Sequence, residues 1–200
     1  MKQLEVFLNH SEKDIYTYID LLKKWQKAVN LISPSTIKDI WTRHVLDSAQ
    51  IYLRLPEAAQ ILVDLGSGAG FPGIILAILN QINKGPIKKI VLIESDIKKS
   101  LFLKEVVRQL SLPVEILNQR IETVSKVQAD VLTARALAPL NQLLLYGKNF
   151  IVPQTTCLFL KGKTADVEIQ KNKIPCKIQK IKSITNSESC ILKITEVHYD

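Results

Sequence analysis

Ile61-Leu-Val-Asp-Leu-Gly-Ser-Gly-Ala-Gly-Phe-Pro-Gly73 is the stretch on which the reading of this chain turns. Its first five residues form an apolar run of strand length interrupted by one acid, Asp64, and the next eight contain four glycines. A strand that runs into glycines and then into a helix, with Pro72 suited to the helix's first turn, lets backbone approach a ligand closely. Two spacings overlap in the loop. Gly68, Gly70 and Gly73 follow the dinucleotide fingerprint, whereas Gly66, Gly68 and Gly70 follow the pattern of S-adenosylmethionine sites. Asp64 separates the two readings, because a carboxylate at the strand end repels a pyrophosphate but suits a ligand with a sulfonium, an ammonium group and no phosphate. The glycine run also abuts the strand at Gly66, not Gly68. S-adenosylmethionine is therefore the expected cofactor, with Asp64, Gly66 and Gly68 among its contacts.

Outward from the loop, short apolar runs at 61–65, 89–94, 114–117, 130–134 and 155–160 alternate with helical stretches near 72–82, 97–110, 120–127, 139–149 and 164–172. This is the rhythm of βαβ units and a parallel sheet. Two more strands, 176–182 and 189–197, have no long helix between them and are expected to pair as a hairpin. The predicted architecture is α/β, a mostly parallel doubly wound sheet with an antiparallel C-terminal strand. Upstream, Ser11 and Asp14 suggest a capping box, and Ile15, Ile19, Leu22, Trp25 and Val29 follow at helical spacing. A second helix is expected over about 36–55, ending before Pro56. These helices form a cap, residues 1–58, on a core of 59–200, and the whole is expected to be one domain.

The composition agrees: of 200 residues, 46% are hydrophobic and 23% charged, which suits a folded protein with a sizeable core. The three cysteines are widely spaced with no Cys-x-x-Cys, so no disulfide scaffold or metal site is expected. The longest apolar stretch, 74–79, falls far short of the roughly 18 residues a membrane helix needs, and the N-terminus does not read as a secretory signal. A cytoplasmic protein without membrane contact is the expectation. The formal charge of +8 favours a polyanionic partner without specifying one.

At other strand ends, Glu94 occupies the place where an acid accepts hydrogen bonds from ribose hydroxyls. Ile121 and Glu122 follow the third strand, where they would flank an adenine. Arg135 ends the fourth strand and is suited to a carboxylate or a phosphate. Arg43 and Asp47 stand four apart, the spacing of an intrahelical ion pair, with His44 beside them. Lys161 and Lys163 flank Gly162 after the fifth strand, where phosphate contact is expected.

Trp25-Gln-Lys-x-x-Asn30-Leu31, Arg43-His44-x-x-Asp47-Ser48, the loop 64–73, Glu94-Ser-x-x-Lys-Lys-x-x-Phe-Leu103, Arg120-Ile-Glu122 and Arg135-Ala-x-Ala-x-Leu140 occur in this order. Together they resemble the bacterial ribosomal small-subunit methyltransferase G family, also called glucose-inhibited division protein B, over about residues 15–165. The resemblance implies a Rossmann-like, class I methyltransferase that moves the methyl of S-adenosylmethionine to N7 of a guanine in 16S ribosomal RNA near the decoding region. It places cofactor contacts on Gly66, Phe71, Ile121, Glu122 and Arg135, and turns Arg43 and His44 toward the RNA; Asn30 and Lys161 are expected among the substrate contacts as well. The chain departs from the family at Gln26, at Ile32-Ser33 and at the start of its last strand, which lacks an Arg-His pair. Guanine N7 carries a free lone pair, so no catalytic base is expected. The expected partner is 16S RNA or the small subunit, and the protein is expected to be a monomer. The competing readings are a small-molecule methyltransferase on the same fold and a non-catalytic RNA-binding module. No Asp/Asn-Pro-Pro-Tyr is present, and the one Pro-Cys pair, Pro175-Cys176, lies in the terminal hairpin.

Overall fold

A computed structural model describes residues 2–199; Met1 and Asp200, the end residues of the expected domain, lie outside it. Seven strands form one sheet in the order β3-β2-β1-β4-β5-β7-β6. They are β1 (Ile61–Leu65), β2 (Lys89–Ile93), β3 (Val114–Leu117), β4 (Val131–Arg135), β5 (Thr156–Lys161), β6 (Lys177–Lys182) and β7 (Cys190–Thr195). The first five are parallel, with Val63 opposite both Val91 and Leu132. β7 pairs antiparallel with β5 and with β6, so the hairpin and the antiparallel ending are as expected. The chain winds outward from β1 to β3, returns to β4 beside β1, and so opens a crevice at the carboxyl ends of β1 and β4.

Strand alternation sends side chains to two apolar layers. Leu62, Ile90, Leu92 and Val131 face the layer containing α4 (Gly73–Ile82) and α5 (Ile97–Leu110). Val63, Leu65, Val91 and Leu132 face α6 (Leu140–Gly147) on the other side, and α7 (Ala165–Gln170) follows β5. Helix α4 is buried from Gly73 through Asn80 because the cap covers its outer face. The cap includes α1 (Lys2–His10), anchored by Leu4 and Leu8 one helical turn apart, and α2 (Glu12–Gln26).

The cap departs from expectation. Ser11 does not cap α2 with its side chain; its hydroxyl meets Asn83 Nδ2 at 3.4 Å instead. The single helix expected over 36–55 is a 3-10 turn (Pro34–Asp39), a π turn (Trp41–Leu46), the short α3 (Asp47–Ala49) and a second 3-10 turn (Tyr52–Arg54). The irregularity has a cause, since the Arg43 carbonyl accepts a 2.6 Å hydrogen bond from Arg135 of β4, and wide turns of this kind gather at functional sites. The helix expected over 120–127 is only a 3-10 turn at Ile121–Thr123. There the Thr123 hydroxyl returns to the Arg120 carbonyl, and the chain then runs out to bond Val127 and Ala129 to the segment after α6.

Tyr18 of α2, with no exposed surface, donates from its hydroxyl to the Ala69 carbonyl in the glycine loop, and its ring packs against Phe71 at 5.4 Å. One cap side chain thus fixes the loop from behind. Tyr18→Phe leaves that buried carbonyl without a partner and should cost about 1–3 kcal/mol, read as a lower urea midpoint with an unchanged slope.

Candidate active site

Three glycines set the loop's path by taking positive φ: Gly66 (61°), Gly68 (58°) and Gly70 (97°). A Cβ at Gly66 would also meet Leu137 at 2.6 Å, and one at Gly73 would meet Leu92 at 2.3 Å, so Gly73 is what lets α4 close onto the sheet. Gly68 differs, because a Cβ there would find only the Gly66 carbonyl, at 3.9 Å. The space before it is open, and it is the floor of a cavity of about 510 Å³.

Gly66, Gly68, Phe71 and Glu94 line this cavity, as do Ile121, Glu122 and Arg135. The cavity thus gathers seven of the eight expected cofactor residues. Glu94, buried at the end of β2, accepts from the Gly68 amide through one carboxylate oxygen and from the Asp96 amide through the other, both at 2.8 Å. Each oxygen keeps a lone pair for a hydroxyl donor. Asp96 caps α5 by accepting from the amides of Lys98 and Lys99.

Asp64 does not reach the cavity. Its position on β1 is on the α4 side of the sheet with Leu62, so its carboxylate lies under the loop, fully buried. One oxygen accepts from the Thr133 hydroxyl at 2.7 Å, and the other has no hydrogen-bond partner. Burial raises its pKa to about 6, with the Thr133 hydrogen bond and the nearby Ser67 hydroxyl and Gly73 amide opposing. Direct cofactor contact is therefore corrected to a buried charge behind the loop, still adverse to a phosphate in front.

Arg135 binds the cap. Its guanidinium donates to His44 Nδ1 (2.7 Å) and to the Arg43 carbonyl (2.6 Å), pairs with Asp47 (3.3 Å) and lies 5.9 Å from the Phe71 ring centre. A guanidinium only donates, so His44 Nδ1 must accept and its proton sits on Nε2, which donates to the Thr36 hydroxyl at 2.8 Å. Thr36 passes the polarity on to the Ser33 carbonyl. Burial lowers the His44 pKa to about 4, and Arg135 and Arg43 push the same way. The Arg43–Asp47 ion pair does not form, since Asp47 belongs to Arg135.

Of the residues expected to face RNA, His44 lines the cavity while Asn30 and Arg43 are exposed outside it. Lys161 is not free for phosphate: its ammonium is held by Glu168 at 2.7 Å and the Ala138 carbonyl at 2.6 Å, with 8% of the side chain exposed. Sequence reasoning missed Gln26's role. Its side chain accepts from the amides of Leu31 and Ile32 and returns a bond to the Ile32 carbonyl, which sets both residues on the cavity wall. It missed Glu168 as well.

The family model described as rRNA small subunit methyltransferase G matches residues 11–193. The chain belongs to that family. Ribosomal RNA small subunit methyltransferase G of Paramagnetospirillum magneticum is 43% identical over 182 residues, covering 90% of this chain and 86% of the relative. That of Cereibacter sphaeroides is 40% identical over 196 residues, 97% and 94% of the two chains. A SAM dependent methyltransferase from Aquifex aeolicus shares the fold, with a TM-score of 0.59 at 16% identity, covering 82% of this chain and 97% of that one. The family member described here is a methyltransferase that uses S-adenosylmethionine. No helix among the described residues is long and apolar enough to cross a membrane.

The two perturbed groups oppose one another in acid. His44, with its folded pKa depressed, contributes stability that is present above about 6.5 and lost as pH falls toward 4; Asp64, with its folded pKa raised, contributes stability present below its ordinary value of 3.8 and lost as pH rises through about 6. Asp64→Asn removes the second effect alone. Its urea midpoint should fall more steeply than that of the unsubstituted protein between pH 6.5 and 4; parallel curves would contradict the assignment.

Proposed function

We propose that this chain transfers the methyl of S-adenosylmethionine to N7 of a guanine in 16S ribosomal RNA, near the decoding region of the small subunit. The observation that supports this best is the state of His44, the imidazole on the cavity wall. Its Nδ1 lone pair is taken by Arg135, its Nε2 proton is given to Thr36, and its pKa is about 4. It has no capacity to collect a proton at neutral pH. An acceptor whose lone pair is already free, such as guanine N7, needs none.

The cavity fits the cofactor on two counts: the open floor before Gly68, and a buried carboxylate, Glu94, with acceptor capacity toward it. When bound, S-adenosylmethionine supplies an electrophilic methyl group on a positively charged sulfur. Glu94 would hold its ribose hydroxyls, Ile121 and Glu122 its adenine, and the loop from Gly66 to Gly68 its amino-acid end, with Arg135 beside it. The protein's own contribution is orientation, because fixing two reactants at attack distance is worth roughly 7–11 kcal/mol. Cap and core act as one domain and one monomer, in the cytoplasm, on naked 16S RNA or the assembled subunit.

Small subunits lacking the modification, incubated with labelled S-adenosylmethionine and digested to nucleosides, should yield 7-methylguanosine; a different labelled nucleoside, or none, refutes the proposal. Glu94→Gln turns one carboxylate acceptor into a donor that faces an amide, and cofactor affinity measured by calorimetry should fall about 10- to 100-fold, the loss of a charged hydrogen bond.

A further inference from the structure

Beside the first cavity lies a second, of about 450 Å³, whose wall shares Arg135, Ala136 and Leu137 with it. Two ion pairs border it, Arg135 with Asp47 at 3.3 Å and Lys161 with Glu168 at 2.7 Å. Each cation already has its anion. A phosphate entering here would meet two carboxylates, so the cavity does not suit the anionic backbone of a nucleic acid. It suits a neutral, flat, polar ligand: Leu137, Pro139 and Leu160 supply apolar surface, and the charged groups supply hydrogen-bonding capacity.

That capacity can be counted. The Lys161 ammonium donates to the Ala138 carbonyl and to Glu168, which leaves one of its three N–H groups unused. Glu168 Oε2 accepts from Lys161 and from the Leu140 amide, but Oε1 accepts only from the Thr164 hydroxyl. Burial works to raise the Glu168 pKa, yet hydrogen bonds from Lys161 and Thr164 outweigh it and hold the carboxylate ionised. One open donor therefore stands beside one open acceptor. Guanine presents the complement, a carbonyl O6 next to the N1–H, whereas adenine presents an amino donor next to a bare N1, the reverse order.

We propose that this second cavity is the subsite for the acceptor base, with Lys161 donating to guanine O6 and Glu168 accepting from N1–H, so that the pair selects guanine over adenine. The inference rests on the guanine reading above and adds the residues that would read the base. Recognition of the edge that carries N1 leaves N7 unhindered, and the shared wall at Arg135–Leu137 is where the base and the methyl donor would meet.

The test uses the full chain with unmodified small subunits. Glu168→Gln should keep S-adenosylmethionine affinity within about twofold while kcat/KM for subunits falls about 10- to 100-fold, one hydrogen bond to a charged group. Because Glu168 also holds Lys161 and α7, a second variant guards against a folding defect. Gly162 lines the cavity, a Cβ there would meet nothing within 4 Å, and so Gly162→Phe can be accommodated while filling space beside the base. It should give the same pattern, kcat/KM for subunits lowered at least about tenfold with cofactor affinity held. Where Glu168→Gln folds, a kcat/KM equal to that of the parent overturns the subsite; where it does not fold, Gly162→Phe decides, and loss of both readouts or of neither overturns it. The parent's product separates the two inferences. If the parent makes no 7-methylguanosine, the guanine reading has failed; if it makes it and the variants match it in rate, only the base subsite has failed.

Discussion

The guanidinium of Arg135 can donate hydrogen bonds and cannot accept one, and most of the site's order follows from that restriction. With its side chain four-fifths removed from water, it needs acceptors, and the sheet offers none at the end of β4. All three come from the cap: His44 Nδ1, the Arg43 carbonyl and Asp47. The demand for a free backbone carbonyl at Arg43 fits a π turn where the sequence would otherwise run as an α-helix. The demand for a lone pair on His44 fixes its tautomer and forbids its protonation. Asp47 in turn accepts from Gln50 and Thr185, so the turn between β6 and β7 is tied into the same network. Removing a member would leave a buried charge uncompensated, which is why such networks cost more to break than they contribute in net stability.

Behind the glycine loop the balance is different. Asp64 is buried with one oxygen bonded to Thr133 and the other unpartnered, an arrangement that opposes folding once the carboxylate ionises. Around it the packing is tight: Gly73 is the only residue type that lets α4 sit this close, and Tyr18 holds the loop from the cap side. The loop's left-handed glycines are thus locked between a helix below and an aromatic cluster above. Its amides remain directed as Glu94 requires without help from a ligand, the condition for a site that is formed before it binds.

The five parallel strands were legible because each is a largely apolar run of four to six residues between breakers, and β1 and β3 fall where the pattern places them. The hairpin of β6 and β7 was legible from the lack of room for a helix between its strands. The cap segment after Pro34 was not, since its apolar spacing is genuinely helical and the force that distorts it comes from Arg135, 92 residues away in sequence. Asp64 was placed at the right strand end but on the wrong side of the loop: residues 62–65 are all buried, so alternation leaves no polar face to show which way each points. Lys161 was read as free because its partner lies on α7, a helix of six residues with little periodicity of its own. Glu168 carried no local signal at all; only the fold brings it to the end of β5.

The placement of charge suggests how a basic protein meets RNA without binding it indiscriminately at its reactive centre. Arg43, Arg120 and Lys163 are exposed and have no ion-pair partner among the described residues, whereas the cations at the second cavity are both paired. Unpaired surface cations attract phosphate over distances set by salt and without regard to sequence. Paired, buried ones present no net field and act only through hydrogen bonds of fixed direction. Phosphate contacts position a nucleic acid and contacts to base edges specify it. On the proposed reading the two tasks fall to separate groups of residues, so that a surplus of +8 would draw the polyanion in while the second cavity, whose cations are paired, would admit a base and exclude its backbone.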